Sequence, residues 1–195
     1  MRLNQIVPGY VHTVSDFLTR AECLTLLADA YRFGYGDSER PRDDGRVVLQ
    51  RPALARQLWR SLRPFVPRDD GGWLASGLNE RFCFHKYEPG RRFAPHADPP
   101  FERSEDEVSR FTLLVYLNDD FGGGATRFRR MKVNARQGMA LLFRHELEHE
   151  AARVHLGRKH VLRTDVMYRS AARATLAQPR SGSWPGSLVS GRHPV

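Results

Sequence analysis

The sequence is poor in cysteine, with two among 195 residues, Cys23 and Cys83. That is too few for a disulfide-stapled scaffold and does not fit a zinc-finger ligand set. Cys23 falls in a helical pattern and Cys83 in a strand pattern, so both read as reduced, buried thiols. Long apolar runs are also missing. The longest, Phe111 to Leu117 and Met139 to Phe143, fall well short of the roughly 20 residues that span a bilayer. The opening MRLNQIVPGY has no apolar core of signal-peptide length. A soluble, cytoplasmic protein is therefore expected, with no membrane partner. No internal repeat is present. Lys plus Arg number 31 against 22 Asp plus Glu, a net charge of +9. The excess consists mostly of arginines scattered along the chain, and no aromatic-and-basic stacking platform accompanies them, so nucleic acid is disfavoured as a partner.

What is present is enough for one folded domain with a substantial core, given 41% hydrophobic and 10% aromatic residues. The N-terminal third reads as helical. Thr19 and Glu22 have capping-box spacing, followed by Leu24, Leu27, Ala28 and Tyr31 on one expected face. Residues 34–46 read as a loop. A second helix is expected from Pro52, carrying Leu54, Leu58 and Leu62 and stopped by Pro64, with a further loop at 67–72. From Asn79 the character changes. Segments 79–87, 109–117, 125–128, 139–143 and 159–168 are short, rich in Val, Phe, Tyr and Thr or alternating, and punctuated by Gly, Pro and Asp. This predicts an α+β chain, mainly β, with helices packed outside an antiparallel sandwich or jelly roll. The expected division is a single domain over 1–174, with mainly helical support at 1–75 and a β core at 79–168. A Ser, Gly, Pro and Arg-rich flexible tail would then occupy 175–195.

The chemistry centres on His96-Ala97-Asp98. On a strand, positions i and i+2 share a face, so an imidazole nitrogen and a carboxylate oxygen would converge. With a second histidine this becomes two histidines and one carboxylate on one face of an octahedron, the set that suits non-haem Fe(II) with three positions open. His149 is the candidate third ligand. Ten residues on is Lys159, whose ammonium could pair with the distal carboxylate of a metal-chelating 2-oxo acid. Arg163 is four residues further along the same expected face and could take or share that role.

Residues 79–168 resemble the catalytic core of the prolyl 4-hydroxylase-like 2-oxoglutarate and iron(II)-dependent oxygenases. The matching pieces are FHKYEPGRRFAPHAD, FTLLVYLNDDFGGGATRF, QGMALLF and HEAARVHLGRKHVLRTDVMYR. The resemblance implies a double-stranded β-helix, or jelly-roll, core. It also implies Fe(II), 2-oxoglutarate and O2 as cofactors, with ascorbate as an optional supporting reductant. His96, Asp98 and His149 would be the iron ligands and the catalytic centre, and Lys159 the cosubstrate anchor. Tyr87, Tyr116 and Thr126 would be cosubstrate-pocket residues. Retention of Asp98, where related halogenases carry a small residue, implies hydroxylation of a C–H bond, or another chloride-free oxidation, as 2-oxoglutarate is decarboxylated to succinate. A small molecule, an amino acid or a peptidyl proline is the expected substrate class, while oligomeric state is not legible. Gly122 to Gly124 are expected to form only a turn between strands. Residues 99–110 are expected as a loop by the site entrance, with an acidic cluster that could meet a basic substrate.

A rival pattern overlaps the same residues. His145-Glu-Leu-Glu-His149 is the H-E-x-x-H signature of zinc peptidases, and His155 follows at metzincin spacing. That reading requires a helix at 145–149, yet the preceding GMALLF reads as a strand and turn. It also leaves His96, Asp98 and Lys159 without a role. A non-catalytic 2-oxoglutarate sensor of the same fold is the other alternative, and turnover would separate it from an enzyme.

Overall fold

Thr19 and Glu22 form the expected capping box. The Glu22 amide donates to Thr19 Oγ1 at 3.2 Å, and the Thr19 amide donates to Glu22 Oε2 at 2.8 Å. This starts helix α1 (Arg20–Arg32). Its buried stripe is Cys23, Leu26 and Ala30, whereas Leu24 and Tyr31 are each 51% exposed. The expected face was therefore rotated from the true one. Cys23 and Ala30 are fully buried in the core beneath the sheet. Burial pushes the Cys23 thiol up to about 11, as befits an inert reduced cysteine, and both cysteines are free and buried.

The computed structural model describes residues 1–34 and 45–174. Strands β1 (Arg2–Val7) and β2 (Val11–Ser15) precede α1, and β3 (Gly45–Gln50) leads into α2 (Pro52–Leu62) and a 3-10 turn (Arg63–Phe65). Then come β4 (Trp73–Leu78), β5 (Arg81–Tyr87), β6 (Phe93–His96), β7 (Glu102–Ser104), β8 (Glu107–Tyr116), β9 (Gly122–Gly123), β10 (Thr126–Phe128) and β11 (Met131–Val133). They are followed by β12 (Ala140–Arg144), β13 (His149–Ala151), β14 (Val154–Leu156), β15 (Lys159–Ser170) and the short helix α3 (Ala171–Ala174). Three strands thus lie where a mainly helical support was expected. In β2, Val11 to Val14 are all buried, and burial on both faces erases the alternation by which a strand is recognised. The loop expected at 34–46 falls mostly outside the described residues, and Gly45 and Arg46 belong to β3. The tail expected from 175 lies outside them entirely.

The nine-stranded sheet runs β1-β2-β12-β8-β15-β5-β3, with β4 also on β15 and β7 on β8. It faces a four-stranded sheet, β11-β10-β13-β6, and a two-stranded β14-β9 ribbon completes the wall. This is the jelly-roll arrangement. Alternation divides the large sheet into two faces. Phe82, Phe84, Phe111, Leu113, Val115, Leu162 and Val166 pack on the helix side against Leu26, Leu58 and Leu62. Cys83, His85, Tyr87, Leu114, Val161, Arg163 and Asp165 point into the space between the sheets. Burying each large apolar side chain contributes about 1.5–3 kcal/mol, so the helix-side core stabilises the sheet while its opposite face carries polar groups.

Candidate metal and cosubstrate site

β6 and β13 pair antiparallel with His149 directly opposite His96. Asp98 lies just beyond the end of β6 rather than on a strand. Its amide donates to the His145 carbonyl at 3.0 Å, which turns the carboxylate back toward the two imidazoles. Asp98 Oδ1 is 3.7 Å from His96 Nε2, and Oδ2 is 3.7 Å from His149 Nε2. One ligand atom from each residue lies within 4.8 Å of the others, and this trio is the one candidate metal cluster among the described residues.

The donor set fits a divalent iron ion. His96 Nδ1 lies 2.8 Å from the Ala94 carbonyl and His149 Nδ1 lies 3.0 Å from the Leu147 carbonyl. A carbonyl only accepts, so Nδ1 carries the hydrogen in both rings and each Nε2 lone pair is free. Burial lowers the His149 pKa, partly opposed by its Leu147 bond, and so favours the neutral, ligating form. For Asp98, burial alone would raise the carboxyl. The Arg163 guanidinium, the Thr112 hydroxyl and the two imidazoles overcome that and hold it below its ordinary value.

Asp98 is further oriented by a hydrogen-bond chain that no sequence motif marks. Thr112 Oγ1 donates to Asp98 Oδ2 at 2.5 Å, and His145 Nδ1 lies 2.9 Å from Thr112 Oγ1. His145 Nε2 lies 2.8 Å from Ser109 Oγ, which in turn accepts from the Phe101 amide at 2.7 Å. Because the Thr112 hydrogen goes to the carboxylate, His145 must donate through Nδ1 and accept at Nε2. Both its nitrogens are thereby occupied. Residues 145–148 form a turn and bend after β12 rather than a helix, Glu146 is exposed, and His155 is exposed on β14. The zinc-peptidase arrangement does not form. The strand-edge geometry of a jelly roll placed that His-Glu-x-x-His run where i and i+4 do not share a face.

Lys159, the first residue of β15, is 1% exposed. Its Nζ donates to the Gly124 carbonyl at 2.6 Å and sits 5.3 Å and 5.5 Å from the Tyr87 and Tyr116 ring centroids. Among the described residues no carboxylate pairs with it, and burial lowers its pKa to about 7. A buried cation without an anion fits the distal carboxylate of 2-oxoglutarate. Gly124 has φ +64, and a Cβ there would come within 3.2 Å of Lys159 Cδ and 2.9 Å of Phe121. The glycine run is therefore more than a turn, because it lets the lysine reach a backbone acceptor. Tyr87, Thr126, Arg163, Lys159 and the metal trio all line a cavity of about 470 Å³. Tyr116 stands behind that wall, fully buried, with its hydroxyl 2.7 Å from Thr126 Oγ1. Arg163 lies nearer the metal trio, 3.0 Å from Asp98 Oδ1 and 3.3 Å from Asp165 Oδ1. The expected entrance loop is a hairpin of β7 and the start of β8. Its acidic residue Glu107 is engaged by Arg103 at 3.0 Å and Arg169 at 3.3 Å, while Pro99, Pro100 and Phe101 form the cavity lip.

Comparisons with known proteins agree with this geometry. No curated protein matches the chain. Among solved structures, the viral collagen prolyl hydroxylase of Paramecium Bursaria Chlorella virus-1, in its 2OG complex, is similar at TM-score 0.63 and 18% identity, over 83% of this chain and 97% of that one. A Pseudomonas putida prolyl-4-hydroxylase is similar at 0.61 and 16%, over 83% and 94%. A Trichoplax adhaerens prolyl hydroxylase, in complex with a hypoxia inducible factor oxygen degradation domain peptide, is similar at 0.63 and 18%, over 90% of each chain. At these identities the likeness establishes the shared fold. Residues 82–164, which hold every member of the metal trio and Lys159, match the family model described as 2OG-Fe(II) oxygenase superfamily.

Proposed function

We propose that the protein is a hydroxylase of this superfamily, acting on a C–H bond of a small-molecule or peptide substrate, with His96, Asp98 and His149 holding Fe(II) and Lys159 anchoring 2-oxoglutarate. The observation that carries the reading is one cavity shared by the two-histidine, one-carboxylate trio and a fully buried lysine that lacks an anionic partner among the described residues. Iron with 2-oxoglutarate and O2 supplies the oxidising chemistry, and 2-oxoglutarate leaves as succinate and CO2.

The chain's own residues bind, orient and exclude water. Lys159 pairs with the distal carboxylate, and the Tyr87 and Tyr116 rings flank the ammonium. Thr126, held by Tyr116, shapes the wall. Arg163 and Thr112 grip opposite oxygens of Asp98, leaving its carboxylate little freedom to rotate away from the histidines. Phe93, Pro99, Pro100 and Phe101 make the lip apolar, which keeps bulk water from the reacting carbon. The peptide bound by the Trichoplax relative supports a peptide or similarly small substrate here. The test is anaerobic titration with Fe(II) and 2-oxoglutarate followed by succinate detection on admitting O2. Binding of both with succinate release is expected, and a protein that binds neither overturns the assignment.

A further inference from the structure

On the assignment above, the cavity's charges can be matched one by one. Lys159 pairs with the distal carboxylate of 2-oxoglutarate. Asp98 belongs to the metal trio. Arg163 lies within ion-pair distance of both Asp98 and Asp165, and Asp165 Oδ2 accepts from Asn79 Nδ2 at 3.2 Å. The remaining acid, Glu150, is 3.5 Å from Arg127. Two cations remain on the cavity wall, Arg46 and Arg81. Neither guanidinium has an ion-pair or hydrogen-bond partner among the described residues.

Their placement follows from strand register. β3 pairs with β5 so that Arg46 is opposite His85, Val48 opposite Cys83, and Gln50 opposite Arg81. Arg81, Cys83, His85 and Tyr87 alternate onto the cavity face of β5, and Arg163 of β15 lies opposite Cys83. The two arginines straddle the Val48–Cys83 pair, roughly 13 Å apart along the strands, which two extended arginine side chains can close. Lys159 is at the other end, opposite Tyr87. The cavity therefore has Lys159 at one end on β15, the metal trio against Arg163, and a cationic flank on β3 and β5, with Arg46 level with His85 and Val161 and Arg81 beyond Cys83 at the end away from Lys159.

We propose that the hydroxylated substrate carries an anionic group, a carboxylate or a phosphate, and that Arg46 and Arg81 hold it on the β3–β5 flank of the cavity. Guanidinium groups bind both anions in bidentate fashion. Held there, the anion leaves the rest of the substrate to extend past Cys83 and Val161 toward the metal trio. The apolar lip of Phe93 and Phe101 covers that intervening part.

The test uses protein loaded with Mn(II) and 2-oxoglutarate and follows binding by calorimetry. The probes are hexanoate, benzoate and cyclohexanecarboxylate, each beside its primary amide and the corresponding amine, with phenyl phosphate as the phosphate arm. At least one acid or the phosphate should bind ten or more times tighter than its amide, and the amines should be weakest. In the Arg46→Gln/Arg81→Gln variant that preference should fall to within twofold, while the dissociation constant for 2-oxoglutarate stays within twofold of the parent. Amides or amines binding as tightly as acids, a preference that survives the double substitution, or no probe binding at all would each overturn the proposal. If 2-oxoglutarate itself fails to load, the hydroxylase assignment falls separately. The acid-to-amide contrast between parent and double variant, repeated on the unloaded protein, still decides the role of the arginines.

Discussion

His96 and His149 face each other across one antiparallel strand pair, with ring centroids 4.3 Å apart, although 52 positions separate them in the chain. The pairing makes their Nε2 atoms a preset two-point clamp, and the Asp98 carboxylate within 3.7 Å of each completes it. His96→Ala and Asp98→Ala should each abolish succinate formation, with Asp98→Ala retaining weak iron binding through the histidine pair. Glu146→Gln, exposed on the turn, should leave iron affinity and turnover unchanged. Iron titration and succinate assay on the three variants check this. Loss of metal in a His145→Ala variant with retention in both His96→Ala and Asp98→Ala would revive the peptidase.

Thr112→Val removes the hydroxyl that bonds Asp98 and strands His145 Nδ1 without its acceptor. Outer-shell partners of this kind typically affect metal affinity by about 10–100-fold. A fall in Fe(II) affinity within that range is expected, with 2-oxoglutarate affinity measured in excess metal nearly unchanged. Thr112→Ser should restore most of the loss, which an indirect packing effect would not.

Lys159 gives an unusual coupling of stability to function. Its folded-state pKa is lowered from 10.5 to about 7 by burial. For a base with a depressed pKa, folding is penalised fully below about pH 7, and the penalty fades as pH rises toward the ordinary lysine value. At neutral pH it is of order 4 kcal/mol. Lys159→Met removes it but leaves the Gly124 carbonyl without its donor, which costs about 1–3 kcal/mol. The variant should therefore be more stable by about 2 kcal/mol in denaturant unfolding at neutral pH, and should lose measurable 2-oxoglutarate binding while still binding iron.

The same lysine sets the pH dependence of cosubstrate binding. Dianionic 2-oxoglutarate binds the ammonium form, so affinity should be flat below about pH 7. Above it, affinity should fall by up to tenfold for each pH unit, with proton uptake visible as a dependence of binding enthalpy on the buffer. An affinity that stays level up to about pH 9 would mean that Lys159 does not face the carboxylate.

Gly123 sits where β9 meets β14 with φ +81, and a Cβ there would lie 2.4 Å from the Arg153 carbonyl oxygen. Gly123→Ala should destabilise the protein by about 1–3 kcal/mol and weaken 2-oxoglutarate binding, because Lys159 takes its backbone acceptor from the next residue. Thermal unfolding and 2-oxoglutarate titration measure the two effects together.

By itself the sequence marked the candidate metal trio and most of the β core. His96, Asp98, His149 and Lys159 have spacings that only their combination makes informative, and segments 79–87, 109–117, 139–143 and 159–168 carry the β-branched, aromatic and alternating pattern that burial on one face imposes. Capping chemistry is equally local, so Thr19 and Glu22 announced α1 and Pro52 announced α2. What only the tertiary structure decided depends on what lies across a sheet or beneath a helix. The buried face of α1 is the one that carries Cys23, Leu26 and Ala30 into the core against the sheet. β2 was hidden because its residues are buried on both faces. His145 belongs to the orientation of Asp98 because Thr112, on the neighbouring strand, takes its Nδ1. Gly124 became the acceptor for Lys159 because the approach leaves no room for a Cβ. Arg46 and Arg81 came to line one cavity wall through a register that no local pattern encodes, since strand pairing is a long-range choice fixed by the packing of the opposite face.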